Sequence, residues 1–314
     1  MAPLMLVGLA LILGLVVTPL LDRARWPSGA PGLGLLAWTA VTTSTVLSLI
    51  LSGLALALPE LPTSEDLASF FHACASALRE HYATPGGGVL AVGGGLFALL
   101  LATRLLGVYI TANRSRRQVR GQHRDLARLA GRQLRPGVMV VDYATPAAYC
   151  VPGRPRCVIV TKGTLEALSP TELEQVLSHE AAHLLFRHHW LISLSDALAV
   201  AMFGLLGTST ARDRIGELAE MHADDSVDDR RRLDLASAVL KMAGAAVRPA
   251  GVLNIGGGAT TARVRRLMSI PAAAPMTRPR AAGMLALCGV TVVLPLTLVL
   301  LPALEAIGQH FCPL

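Results

Sequence analysis

The sequence predicts a mainly α integral membrane protein: four transmembrane helices, with a cytoplasmic α+β domain inserted between the third and the fourth. Three observations lead there. Of the 314 residues, 53% are hydrophobic and only 16% are charged, whereas a soluble domain carries about 25% charged residues. Four apolar runs, at 3–21, 34–58, 88–110 and 283–301, are each long enough to cross about 30 Å of hydrocarbon as a helix. Between the last two runs the chain turns polar and shows the patterns of short strands and amphipathic helices. The boundaries follow: 1–112 holds three membrane helices, 113–282 the inserted domain, and 283–314 the fourth helix with a short extracytoplasmic tail.

The first run lacks a basic leading segment and a clear small-x-small cleavage site, so it reads as a retained span rather than a signal peptide. Orientation comes from charge. Asp22, Arg23 and Arg25 separate spans one and two, and Glu60, Glu65, Asp66 and Glu80 outnumber Arg79 between spans two and three. Arg114, Arg116, Arg117, Arg120, Arg124, Arg128, Arg132 and Arg135 follow span three with only Asp125 among them, and Arg278 and Arg280 precede span four. The positive-inside rule then puts the first loop and 113–280 on the cytoplasmic side of a bacterial cytoplasmic membrane, with both termini outside. Apart from Arg104, near a helix end, the spans carry almost no charge, which argues against a transporter. Cys150 and Cys157 fall on the reduced side, and Cys74 and Cys312 share the outer side, where they could pair as a disulfide. None of the five cysteines has zinc-site spacing.

In the inserted domain, arginines at 116, 120, 124, 128 and 132, with Leu126, Leu129 and Leu134 between them, predict an amphipathic helix ended by Pro136. Directly after a span, such a stripe suits anionic lipid headgroups, at about 1 kcal/mol per Arg, better than nucleic acid. A strand at 138–141 comes next, and 147–151 and 157–161 flank a five-residue turn as a β-hairpin. Ser169, Pro170 and Glu172 spell a helix start with a capping box. Leu173, Val176, Leu177, Leu184 and Leu185 then form its apolar stripe. The apolar segment 190–207 resembles a fifth span, but a single crossing would separate 220–224 from 179–183, and Asp196 adds a cost. It is therefore expected to pack in the core or dip into the leaflet. A polar helix at 213–229, a helix at 233–247, a flexible loop at the Gly256–Gly258 triplet and a short basic helix at 260–268 complete the domain. The triplet is no phosphate loop, because no strand precedes it and no Gly-Lys-Ser/Thr follows.

The chemistry sits in His179-Glu180-Ala181-Ala182-His183. One turn apart on a helix, His179 and His183 can grip one Zn2+, and Glu180 beside them can take a proton from water. A catalytic site needs a third protein ligand, and the candidates are Glu217, Glu220, His222 and Asp224. Glu220 and Asp224 share a face, so one can bind metal while the other accepts a hydrogen bond from a ligand imidazole. His222 points about 160° away from Glu220, so both cannot be ligands. His188 and His189 read as surface or interfacial residues. The hairpin strand with Tyr149, Cys150 and Val151 is a candidate edge for an extended substrate backbone.

These residues resemble the HExxH plus ExxxD signature of membrane metallopeptidases, shared by the BlaR/MecR antirepressor family and HtpX-type proteases. The runs Ala148-Tyr149-Cys150-Val151-Pro152-Gly153, Val160-Thr161-Lys162-Gly163 and Asp224-Asp225 resemble the BlaR/MecR side more closely. The resemblance implies a gluzincin-like zincin domain holding one Zn2+ on His179, His183 and Glu220. It makes Glu180 the general base and gives Asp224 the role of orienting a ligand histidine. It also implies cleavage of a cytoplasmic protein, such as a winged-helix repressor, in signal transduction controlling antibiotic resistance. No direct nucleic-acid partner is expected. β-Lactam-sensing members add a penicillin-binding domain after span four; here only a short tail follows and no Ser-x-x-Lys motif occurs, so direct sensing is not expected. Two alternatives stay open: an HtpX-like quality-control protease of the membrane, and a non-catalytic signalling or scaffold protein with structural zinc.

Overall fold

In the computed structural model the described residues are 2–58, 76, 86–153, 156–245, 255–269 and 277–311. Four helices are long and apolar enough to cross a membrane: Ala2–Arg23, Pro31–Ala57, Gly87–Val119 and Arg278–Leu300. The first is built from α1 (Ala2–Ile12) and α2 (Thr18–Arg23), joined by a π-turn at Leu13–Val17. Pro19 removes one backbone donor there, and the Thr18 hydroxyl donates to the Leu13 carbonyl at 2.9 Å. A short α3 (Trp26–Gly29) leads into α4 (Pro31–Ala57), which lies at the centre of the bundle and packs on α1, on α5 (Gly87–Ala130) and on α12 (Arg278–Phe311). Along α4, Thr39, Thr42, Thr45 and Ser48 donate to carbonyls one turn back, which lets polar side chains sit in an apolar bundle. The Cys74–Cys312 pairing lies outside the described residues.

The sheet runs in the order β1-β2-β4-β3, from β1 (Arg132–Arg135), β2 (Val138–Val141), β3 (Ala148–Val151) and β4 (Cys157–Thr161). β1 and β3 are antiparallel to their neighbours and β2–β4 is parallel, so β3 is an edge strand. Val138, Val140, Val158 and Val160 point to one face and pack under Leu177 and Leu184 of α7 (Pro170–Leu185). The expected hairpin is present. The arginine-stripe helix is corrected: it continues the third span without a break and stops at Ala130, so Arg132 and Leu134 stand in β1. The physical reason is the Pro136-Gly137 turn, with Gly137 at φ 79°, which folds β1 back on β2 instead of merely ending a helix. Arg116 is also not a lipid-facing member of the stripe, since it binds Asp196 and Ser193.

The start of α7 follows the sequence. Ser169 accepts from the Glu172 N–H, and the Glu172 carboxylate accepts from the Ser169 N–H at 2.8 Å. Glu172 is buried and also takes hydrogen bonds from Ser237 (2.6 Å) and Lys241 (2.7 Å) of α10 (Arg232–Ala245). Burial would raise its pKa; these donors outweigh burial and hold it at about 2. Beneath them Leu168, Val176, Leu235, Ala238, Val264 and Leu267 close a core between α7, α10 and α11 (Ile255–Met268). That packing corrects the Gly256–Gly258 loop to the first turn of α11. A helical glycine costs about 1 kcal/mol, which burial of Val264 and Leu267 at about 1.5–3 kcal/mol each outweighs. Leu185, expected in the apolar stripe, is exposed.

The segment 190–207 becomes one arm of a helical hairpin. α8 (His188–Ala201) descends along α5, the chain turns at 202–207, and α9 (Thr208–Asp224) climbs back along α4. At the tip Gly14 backs on Leu206, Gly207 abuts Thr18, and Arg104 donates to the Val200 and Ala201 carbonyls at 2.9 Å each. Gly14 lies nine residues inside Arg23, and Arg104 nine residues inside Asn113. At 1.5 Å per residue both place the tip about 13 Å inside the spans. Phe203 and Leu205 are exposed there, and Phe203 also stacks under the Arg104 guanidinium at 3.8 Å. The hairpin enters and leaves on one side, which keeps α7 and α9 together.

Two outcomes are expected. Gly207 has φ 73°, and a Cβ there would fall 2.3 Å from Thr18 Cγ2. Gly207→Ala should lower the melting temperature of the detergent-solubilised chain by several degrees, the left-handed backbone alone costing roughly 1–2 kcal/mol. For Glu172, the folded pKa lies below the ordinary 4.5, so its contribution is complete above pH 4.5 and is lost as pH falls through about 2. Melting curves from pH 7 to pH 2 should show Glu172→Gln less stable at pH 7 and level with wild type at the acid end.

Candidate metal centre

The capped α7 presents His179 and His183 on the face turned toward α9, with His179 buried and His183 half-buried. From α9, Glu220 reaches between them. His179 Nε2 and His183 Nε2 are 3.1 Å apart, and each lies 3.4 Å from a Glu220 carboxylate oxygen. The two rings approach different oxygens of the one carboxylate, Oε2 from His179 and Oε1 from His183, at separations close to those between ligands of a single ion. Ligands at about 2.0–2.1 Å in a tetrahedron stand about 3.3 Å apart, so the three donors fit one zinc ion with a fourth position left for water or substrate. Among the described residues, His179, His183 and Glu220 are the one group of three donors placed to hold a metal ion.

Asp224, fully buried one turn after Glu220, sits 3.0 Å from His179 Nδ1. It therefore fixes Nδ1 as the protonated nitrogen and leaves Nε2 for a metal. Arg263 of α11 bridges both acids, donating through Nη1 to Glu220 at 2.8 Å and through Nε to Asp224 at 2.8 Å. Burial would lower the His179 pKa, but Asp224 and Glu220 hold it up at about 9. Burial pushes His183 down to about 4, with Glu220 opposing the fall and His179 and Arg263 adding to it. Burial would raise Glu220; the His179 hydrogen bond and Arg263 outweigh it and keep the carboxylate ionised, at about 2. Without a metal, the two rings thus carry one positive charge between them, on His179, and Arg263 supplies a second beside Glu220 and Asp224.

Glu180 lies on the β3 side of α7, where Cys150 hydrogen-bonds to it through its backbone and its thiol. Burial raises the Glu180 pKa, and Glu220 adds to the rise while His179 opposes it. The carboxylate is thereby readied to take up and release a proton. Cys150 shares the α7 face of the sheet, and Tyr149 and Val151 pack on the opposite face with Ile159. Among the described residues β3 is the end strand of the sheet, and it lies beside Glu180.

The remaining candidates go elsewhere. Glu217 pairs with Arg214 at 2.8 Å, and Asp225 with Arg266 at 2.7 Å. His222 points away from the metal ligands, as its helical phase requires, and meets His188. His188 is the correction: expected at the surface, it is 1% exposed and contacts His183. Its burial comes from Arg187, whose left-handed backbone (φ 54°) reverses the chain after α7 and tucks His188 beneath the ligand. His189 is half-buried and lines a cavity of about 360 Å³ with Arg117 and Trp190. Arg263 escaped the sequence reading, because nothing in Thr260–Met268 separates it from Arg265 and Arg266.

Residues 113–250 match the family model of peptidase family M48. The match takes in the sheet and α6 (Lys162–Ala167) through α10, with all three donors, and stops short of α11 and Arg263. No curated protein and no solved structure matches the chain. The similarity is to a metallopeptidase family of zincin type, in a chain whose four apolar helices suit a membrane.

Asp224→Ala should weaken zinc binding by about 10–100-fold, as loss of a carboxylate behind a metal-bound histidine does elsewhere. Glu217→Ala should leave it unchanged. Equilibrium dialysis of the purified chain against buffered Zn2+ reads both.

Proposed function

We propose that this chain is a zinc endopeptidase of the bacterial cytoplasmic membrane that cleaves a cytoplasmic regulatory protein at the inner leaflet. The observation that carries the reading is the convergence of His179, His183 and Glu220, with the two Nε2 atoms 3.1 Å apart and each 3.4 Å from one oxygen of the Glu220 carboxylate, and Glu180 next to His179 in the chain. A structural zinc would need a fourth protein ligand and no base; this donor set has three ligands and a base. The M48 match supports the peptidase class. The arginine-rich run after span three supports the cytoplasmic side, and the resemblance in Ala148–Gly153 and Asp224-Asp225 supports a regulatory substrate such as a winged-helix repressor.

His179, His183 and Glu220 would hold the ion. When bound, zinc supplies Lewis acidity, which makes a water molecule more acidic and polarises the scissile carbonyl. The protein's own residues do the rest. An extended substrate would lie along β3, where Cys150 already bonds to Glu180, which brings the substrate backbone next to that carboxylate. Glu180 takes the proton from the attacking water and delivers it to the departing amine, and its raised pKa serves both halves of that transfer. Asp224 holds the His179 tautomer, and Arg263 balances the charge of the two acids.

The test compares the proteomes of cells expressing wild type and Glu180→Gln. The variant should retain zinc and lose cleavage, whereas His183→Ala should lose both. A fragment of one soluble regulator seen only with wild type supports the proposal. Fragments of many membrane proteins would point instead to quality control, and full cleavage by Glu180→Gln would remove Glu180 from the mechanism.

A further inference from the structure

Behind the proposed metal ligand His183 lies a file of imidazoles that coordination itself does not require. His183 Nδ1 is 3.0 Å from His188 Nδ1, and His188 Nε2 is 3.0 Å from His222 Nδ1. His188 is 1% exposed, and Phe186 lies against both outer rings, 5.8 Å from His188 and 4.3 Å from His222 between centroids. The file ends at the start of α4, where a Cβ on Gly32 would stand 3.2 Å from His222 Nε2. Two histidines outside the ligand set thus connect the metal centre to the first turn of a membrane helix.

The hydrogen-bonding inventory of imidazole orders the protons. A neutral ring has one donor nitrogen and one acceptor nitrogen, so neighbouring rings must alternate. With His183 Nε2 turned toward His179 and Glu220, its Nδ1 carries the hydrogen and donates to His188 Nδ1. His188 then carries its hydrogen on Nε2 and donates to His222 Nδ1, and His222 directs its own Nε2–H toward Gly32. The reverse order also satisfies both contacts, but it puts a hydrogen on His183 Nε2, where the metal belongs. The file therefore has two proton arrangements, and only one admits the ion.

We propose that His188 and His222 are positioning residues for the ligand His183, fixing which of its nitrogens faces the metal and tying its ring plane to the start of α4. This rests on the metal-centre reading above. Asp224 does the same for His179, so the two ligand histidines are oriented by different means: one by a buried carboxylate from α9, the other by an imidazole from α8 braced against a membrane span. Movement of α4 relative to α7 would reach His183 through His222 and His188, without passing through Glu220.

The test uses the full chain in detergent, with Zn2+ competed against a chromophoric chelator. Wild type should bind one equivalent; no binding would overturn the metal reading itself, and this inference with it. Given that binding, His188→Leu should weaken zinc affinity by about 10–100-fold. His188→Asn should recover most of the loss, because its Oδ1 can accept where Nδ1 does. The visible spectrum of the Co2+-loaded chain should change shape in His188→Leu and return toward wild type in His188→Asn, a readout that packing alone would not move. Wild-type affinity in His188→Leu overturns the proposal. So does a loss in His188→Asn as large as in His188→Leu.

Discussion

Leu35 and Trp38 of α4 interlock with Ala211, Ile215, Leu218 and Ala219 of α9, and the proposed site depends on that contact. Glu220 and Asp224 share α9 with those residues, so the third metal ligand reaches the imidazoles only while α9 lies along the membrane helix. Lipid chains are as apolar as the side chains in this seam, so burial from water does not drive it; close packing does. Ala211 and Ala219 are small enough to bring the helix backbones together around Trp38, which is 1% exposed. Within the same stretch of α9, Arg214 holds Asp22 of α2 at 2.6 Å. The two halves of the proposed site are therefore joined through the helix bundle as well as through the packing around α7.

The same logic explains the polar groups inside the hairpin. An unpaired charge at that depth is expensive, by several kcal/mol, and each one present has a partner. Asp196 is met by Arg116, and Arg104 donates to the Val200 and Ala201 carbonyls where α8 ends and lies on the face of Phe203. These contacts fix α8 against α5. Through Arg187 they also fix the turn that brings His188 under His183. A segment that looks like a failed span is thus the element that gives the site its depth and its rear wall.

Charge in the centre is arranged by competition. Removing Glu220 from water favours its neutral form, while the His179 ring and Arg263 favour the ion, and the ion wins. Glu180 meets the opposite balance: burial dominates and its carboxyl is raised. The two acids are thus shifted in opposite directions, which suits the roles proposed for them, Glu220 as a metal ligand and Glu180 as a carrier of protons. Glu172, about 10–17 Å along the same helix from the motif at 1.5 Å per residue, stays ionised because Lys241 and Ser237 donate to it, where Glu180 has, among the described residues, only Cys150.

By itself, the sequence determined whatever depends on local periodicity and on composition. The apolar runs became the four helices, Ser169-Pro170-Glu172 became the cap, and one-turn spacing put His179 with His183 and Glu220 with Asp224. Relations between elements were settled only by the tertiary structure. His188 follows His183 by five residues, a spacing that points away on a continuous helix, and it returns only because Arg187 takes a left-handed backbone. Arg263 is one of three similar arginines on a short helix, singled out by where α11 packs on α10. β1 was hidden inside an arginine repeat of helical period because a turn at Pro136-Gly137, with a partner strand beyond it, outweighs local propensity. Periodicity reports which residues share a face; which faces meet depends on packing across elements far apart in the chain.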